Sequence, residues 1–195
     1  MVNGVGFIDK SGKLVIKPQF EYTNGFSNGM ASVRLKNKFI LIDKTGKFII
    51  PPTRETISDP SDGLVRLAAE KDKWKYVDKT GNVVLEVNYD YAGNFFKGLA
   101  SVSTGKHWGF IDKAGKISIP AKFNEVRDFS EGVAAIRLNL KWGFINKNGK
   151  IVISPTFEYI KHSFKNGLAY VRKNGMEGYI NQRGKWIWKR KTLFE

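Results

Sequence analysis

The chain has 195 residues, is 42% hydrophobic and 13% aromatic, contains no cysteine and carries a formal net charge of +15. That length holds one ordinary domain or two small ones, with enough apolar surface for a sizeable core. It has no disulfide framework and no thiolate chemistry, and no run approaches the ~20 apolar residues of a membrane-spanning helix.

The N-terminus, Met1-Val2-Asn3-Gly4, shows neither a basic segment nor the apolar run of a signal peptide. The first recognisable element is Val5-Gly6-Phe7-Ile8-Asp9-Lys10-Ser11-Gly12. A short apolar strand runs into a turn, where glycine takes a positive φ without steric cost. Lys13-Leu14-Val15-Ile16 then reads as the return strand of a hairpin, rich in β-branched and apolar residues. Pro18 ends the pairing because it cannot donate to the ladder. Phe20 follows as a core aromatic, and the stretch after Gly29 reads as a third strand.

The unit recurs at Phe39 to Gly46, Trp74 to Gly81, Trp108 to Gly115, Trp142 to Gly149 and Glu177 to Gly184. Its turn glycines, Gly12, Gly46, Gly81, Gly115, Gly149 and Gly184, are separated by 34, 35, 34, 34 and 35 residues. A second set, Gly29, Gly63, Gly98, Gly132 and Gly167, keeps the same spacing. Two landmarks with one period mean an array of like units. Copy 2 departs most, with Pro51 to Asp62 replacing two aromatics. Glu55, Asp59 and Asp62 there match no calcium-loop spacing. In copy 3, Tyr89 stands for the core phenylalanine. Trp74, Trp108 and Trp142 share a lattice point with Phe39, so they read as core residues rather than stacking platforms. In copy 6, Trp186 and Trp188 stand where other copies are mostly aliphatic. Two residues apart, they are expected on one strand face, capping the stack or lying against a further unit, with a ligand platform as the alternative.

Trp108-Gly109-Phe110-Ile111-Asp112-Lys113-Ala114-Gly115-Lys116 and Trp142-Gly143-Phe144-Ile145-Asn146-Lys147-Asn148-Gly149-Lys150 carry a family resemblance. The chain resembles the WG-repeat (KWG-repeat) proteins of bacteria over essentially its whole length. The match is weaker in the other copies, where Val5, Phe39 and Glu177 replace tryptophan. The resemblance implies a bacterial source and a binding or accessory role, with no particular partner.

The expected architecture is all-β: one array over residues 1–195, with repeats near 1–34, 35–68, 69–103, 104–137, 138–172 and a partial 173–195. Each repeat is expected to be a three-stranded antiparallel meander, sixteen or seventeen strands in all. Consecutive apolar residues such as Leu14, Val15 and Ile16 suggest strands buried on both faces by stacked neighbours. A three-stranded unit of this length is short for a propeller blade. An open superhelical solenoid is therefore the first expectation and a closed, propeller-like ring the alternative. Six hairpins against five third strands suggest a fragment of a longer protein. The compartment is then cytoplasmic by default, or extracytoplasmic if a leader has been lost.

No catalytic, metal or cofactor site is expected. His107 and His162 are the only histidines, and neither sits with a partner at useful spacing. Basic turn residues supply about half of the net charge, as exposed hairpin tips require. The fifth residue after the second glycine is Arg34, Ala68, Ser103, Arg137 and Arg172. Equivalent positions of an array align, so Arg34, Arg137 and Arg172, with Lys106 and Lys141 nearby, are the candidate partner-binding residues. A protein is the first expected partner; a polyanion (nucleic acid, acidic glycan or anionic cell surface) is the alternative.

Overall fold

The computed structural model describes residues 4–70 and 72–192, so the outermost residues of the expected array lie outside it. Among the described residues there are twenty-one strands and no helix. They form two compact units, Met1–Asp90 and Tyr91–Glu195.

In the first unit, β1 (Val5–Ile8) pairs with β2 (Leu14–Phe20). A four-stranded sheet follows, built from β3 (Tyr22–Thr23), β4 (Met30–Leu35), β5 (Lys38–Asp43) and β6 (Phe48–Thr53) in that order. The third sheet holds β7 (Val65–Glu70), β8 (Lys73–Val77) and β9 (Val83–Asn88). The second unit has three four-stranded sheets, all antiparallel meanders. They are β10 (Tyr91–Phe96), β11 (Leu99–Ser103), β12 (Trp108–Asp112) and β13 (Ile117–Phe123); β14 (Glu125–Val126), β15 (Val133–Leu138), β16 (Lys141–Asn146) and β17 (Ile151–Phe157); and β18 (Tyr159–Lys165), β19 (Leu168–Lys173), β20 (Met176–Asn181) and β21 (Trp186–Lys191).

The all-β array is therefore present, and the three-stranded unit is corrected to four strands in four of the six sheets. The extra strand lies just past the aromatic that ends each hairpin. Tyr22–Thr23 adds to Arg34 and Val33, and Glu125–Val126 adds to Arg137 and Ile136. In these two sheets it is a run of two residues with no readable alternation; in the other two it is β10 and β18, of six and seven residues. In copy 2 only an isolated bridge, Ile57 to Leu67, stands at this place. Four strands fit a 34–35-residue period, so unit length is no argument against a propeller-type blade.

Adjacent sheets of a unit pack face to face. In the second unit, Ala135, Phe144 and Ile153 of β15–β17 are buried with Ala169, Val171 and Ile180 of β19 and β20. The return strands are not buried on both faces. Ile16 is 4% exposed, whereas Leu14 and Val15 are 49% and 48% exposed. A bulge explains this: the register slips between Phe7↔Ile16 and Ile8↔Leu14, so the residues before the bulge lie at the rim.

Each hairpin tip is fastened by one side chain. The Asp43 carboxylate accepts the backbone N–H groups of Thr45 (2.8 Å) and Lys47 (3.1 Å) and the Thr45 hydroxyl (2.6 Å). Asp9 and Asp78 repeat this with Ser11 and Thr80, and Asn146 and Asn181 keep the backbone part. The hydroxyls of Ser11, Thr45 and Thr80, then the backbone donors, hold Asp9, Asp43 and Asp78 below the ordinary carboxylate value of 3.8. Lowered folded values mean a stabilisation present above the unfolded pKa and lost as pH falls through the folded one. Thr45→Val is expected to move the Asp43 titration, followed by carboxyl NMR, up toward 3.8. An unchanged midpoint would remove the hydroxyl from this account.

Candidate functional site

The arginines expected to form a binding row are held by their own sheets. Arg34 lies 3.7 Å from Glu21, with its guanidinium over the Phe39 ring. Arg137 pairs with Glu125 and stacks over Trp142. Arg172 lies 3.9 Å from Glu158 and over Tyr159. Lys141 reaches the same Glu158 at 3.5 Å, so Lys141 and Arg172 are brought together on one carboxylate. Glu158 is held below its ordinary pKa by the Asn174 backbone N–H first, then by the Lys141 and Arg172 charges. Glu21 likewise accepts the Asn37 N–H at 3.3 Å, and Asn124 accepts the Asn139 N–H at 3.1 Å. These groups close the loop between the second and third strands of their sheets. Lys106 is exposed in the turn between β11 and β12.

The expected core tryptophans differ in depth. Trp142 is 7% exposed in the core between the last two sheets. Trp108 and Trp74 are half-buried, and the Trp74 indole N–H donates to the Tyr89 carbonyl at 2.9 Å.

The last sheet presents a different surface. Its outer face carries two cross-strand rows. One is His162, Tyr170, Tyr179 and Trp188, directly opposed from β18 to β21. The other, one pleat away, is Tyr159, Arg172, Glu177 and Arg190. Residues two apart in a strand share a face, which sets the rows side by side. The Tyr170 and Tyr179 rings lie 5.1 Å apart and the Tyr179 and Trp188 rings 6.4 Å apart. In the preceding sheet the same lattice points are Ala135, Phe144 and Ile153, and β19–β20 cover them. Among the described residues nothing covers Tyr179 and Trp188, which are 40% and 49% exposed.

Trp186 and Trp188 do not share a face, contrary to the alternation expected of them. The register slips between Tyr179↔Trp188 and Ile180↔Trp186. Trp186 therefore turns inward, edge-on to Phe157, while Trp188 stands outward beside Tyr179.

Cations frame the rings. The Lys161 ammonium sits 5.9 Å from the Tyr170 ring centre and the Arg190 guanidinium 5.9 Å from that of Trp188. Lys165 lines a shallow depression of about 470 Å³ together with His162, Tyr170 and Tyr179. Residues 159–191 hold nine lysines and arginines against one acidic residue, a formal +8 of the chain's +15. The equivalent 125–157 hold five against three. That single acid, Glu177, accepts a hydrogen bond from Arg190 Nε at 2.9 Å and forms an ion pair with its Nη2 at 2.8 Å. Arg190, with the Tyr170 hydroxyl, keeps Glu177 ionised below its ordinary range. Burial raises the Tyr170 phenol, and its bond to Glu177 adds to that. The sequence signal for this face is visible in register: Ser32, Ser101 and Ala135 give way to Tyr170 at one lattice point.

No cluster of three or more metal-ligating side chains occurs among the described residues. No helix of the described residues is long and apolar enough to cross a membrane.

Among solved structures, the chain is similar to Kluyveromyces lactis Hsv2, at 12% identity and a TM-score of 0.59, over 84% of this chain and 61% of that one. It is similar also to the form of that protein with loop 6CD replaced by a Gly-Ser linker, at 11% identity and a TM-score of 0.59, over 93% and 71%. This likeness, to propeller-like β-repeats, is one of fold, and the chain spans about six tenths of the length of the first. No curated protein matches it. The model of the WG containing repeat matches residues 6–39, 41–74, 76–106, 108–142 and 142–176, and the chain belongs to that family.

Proposed function

We propose that this chain is a non-enzymatic repeat scaffold that docks an anionic polymer on the outer face of its last sheet. The repeat family and the propeller-like fold point to a binding role on a non-catalytic scaffold. The observation that carries the partner class is the set of cations on that face, Lys161, Lys165, Arg172 and Arg190, with Glu158 and Glu177 already paired to the two arginines. The arginines at the repeat lattice point serve their own glutamates, so this reading moves the site from a row along the array to the outer face of one sheet. Closure of about four ion contacts on a single-stranded polyanion releases counterions, so log K should fall with log salt at a slope near −3. Titration with inorganic polyphosphate and a sulfated glycan from low to physiological salt tests this. Absent binding, or binding indifferent to salt, would overturn it.

A protein partner is the second reading, and the rim supports it. The first residues of the return strands stay exposed and apolar in both units: Leu14, Val15, Val83, Val84, Ile117 and Ile151. A partner held there would be released by Ile117→Asp and Ile151→Asp, and not by salt.

A further inference from the structure

We infer that the polymer recognised on the last sheet is a single-stranded nucleic acid, with bases stacked on the row formed by Tyr170, Tyr179 and Trp188. This rests on the anionic-polymer reading of the same face and specifies what the rings do. Charge alone would need no aromatic residues. At these three lattice points the preceding sheet uses Ala135, Phe144 and Ile153, whereas the last sheet carries three rings, of which Tyr179 and Trp188 are exposed among the described residues.

The geometry fits unpaired bases. A row crossing four strands spans about 14 Å. A four-stranded sheet with exposed rings on neighbouring strands can stack two or three splayed bases. Every base has a π face, so such stacking tolerates any sequence, and flanking cations follow the backbone. Lys161 and Arg190 stand over the outer rings of the row, where phosphates between stacked bases would pass. Lys165 and His162 border the depression at its β18 end. The Tyr170–Tyr179 pair is edge-to-face, at 84°, so it uses one face of one ring and leaves the remaining faces of the pair out of their mutual contact. A duplex, whose bases are already paired and stacked, could use only the cations.

Fluorescence anisotropy of the whole chain with four labelled probes tests this. The probes are an oligothymidylate of about 12 nucleotides, an abasic phosphodiester and a duplex of the same length, and a sulfated oligosaccharide. At physiological salt the oligothymidylate should bind at least about tenfold more tightly than the abasic strand. Trp188→Ala and Tyr179→Ala should each erase most of that preference while leaving abasic binding within about twofold. Lys161→Gln should weaken all four probes together. Both ring positions are exposed, and Trp188→Leu, which keeps apolar cover, provides a second variant if alanine lowers stability. Equal affinity for abasic and oligothymidylate strands would overturn the inference and leave the polyanion reading standing. So would a sulfated oligosaccharide that outbinds the strand and loses affinity in the ring variants. No binding by any probe would remove both.

Discussion

Gly143→Ala is expected to destabilise the second unit by about 3 kcal/mol, the upper range for forcing a methyl into a packed site. The reason is space. A Cβ at this position would stand 2.5 Å from the Ile153 carbonyl oxygen and 2.7 Å from the Pro155 nitrogen. Both are backbone atoms and cannot turn aside. The return strand comes this close because the register slips by two residues between Trp142↔Phe157 and Phe144↔Ile153. Gly109 and Gly6 meet the Ile119 and Ile16 carbonyls at the same 2.5 Å, over the same slip. Copy 3, with Lys75 in this place, pairs Trp74↔Val87 and Tyr76↔Leu85 without it. The glycine of the Trp-Gly pair is thus the partner of a bulge in the next strand. Gly132 supplies the control. Its φ is +88° and nothing lies within 4 Å of a Cβ there. Gly132→Asn, which tolerates the left-handed region, should cost under about 1 kcal/mol. Urea unfolding of the two variants gives the comparison, and equal midpoints would refute the bulge account.

Replacing Lys161 and Lys165 by glutamine should lower affinity for polyphosphate by about tenfold or more, from roughly 1 kcal/mol per lost contact at a strongly charged surface. The salt slope should shrink by nearly 1 for each contact removed. Arg172 and Arg190 stay in this variant because they hold Glu158 and Glu177. The same number of glutamines at hairpin tips, replacing Lys116 and Lys150, removes equal charge from the chain. Those tips should cost less than about fivefold, through the general field alone. Equal losses in the two variants would show that net charge, not this face, sets affinity.

The array was legible in the sequence because two glycines kept one period, and both have local duties. Gly29 and Asn28, with φ of 82° and 52°, form one two-residue hairpin turn, and Gly12 closes the other. The turn chemistry is local and survives in every copy. What depends on contacts between distant residues was not legible. The short strand Tyr22–Thr23 exists only through Val33 and Arg34. The bulge that sends Trp186 inward and Trp188 outward is a property of pairing with β20. Arg34, Arg137 and Arg172 recur at one position of the repeat, but their glutamates lie 12 to 14 residues away and become partners only in the folded sheet. Tyr170 and Tyr179 carry no motif of their own in the sequence. They differ from other copies only when the registers of successive sheets are set side by side.

The most direct test of the central claim is where the polymer touches. A polyphosphate titration of isotope-labelled protein, followed by backbone amide and indole NMR shifts, reads this in one experiment. The account predicts saturating shifts concentrated in residues 159–191, with the Trp188 indole among the largest. Shifts spread evenly over the lysine-bearing hairpin tips of both units would contradict it.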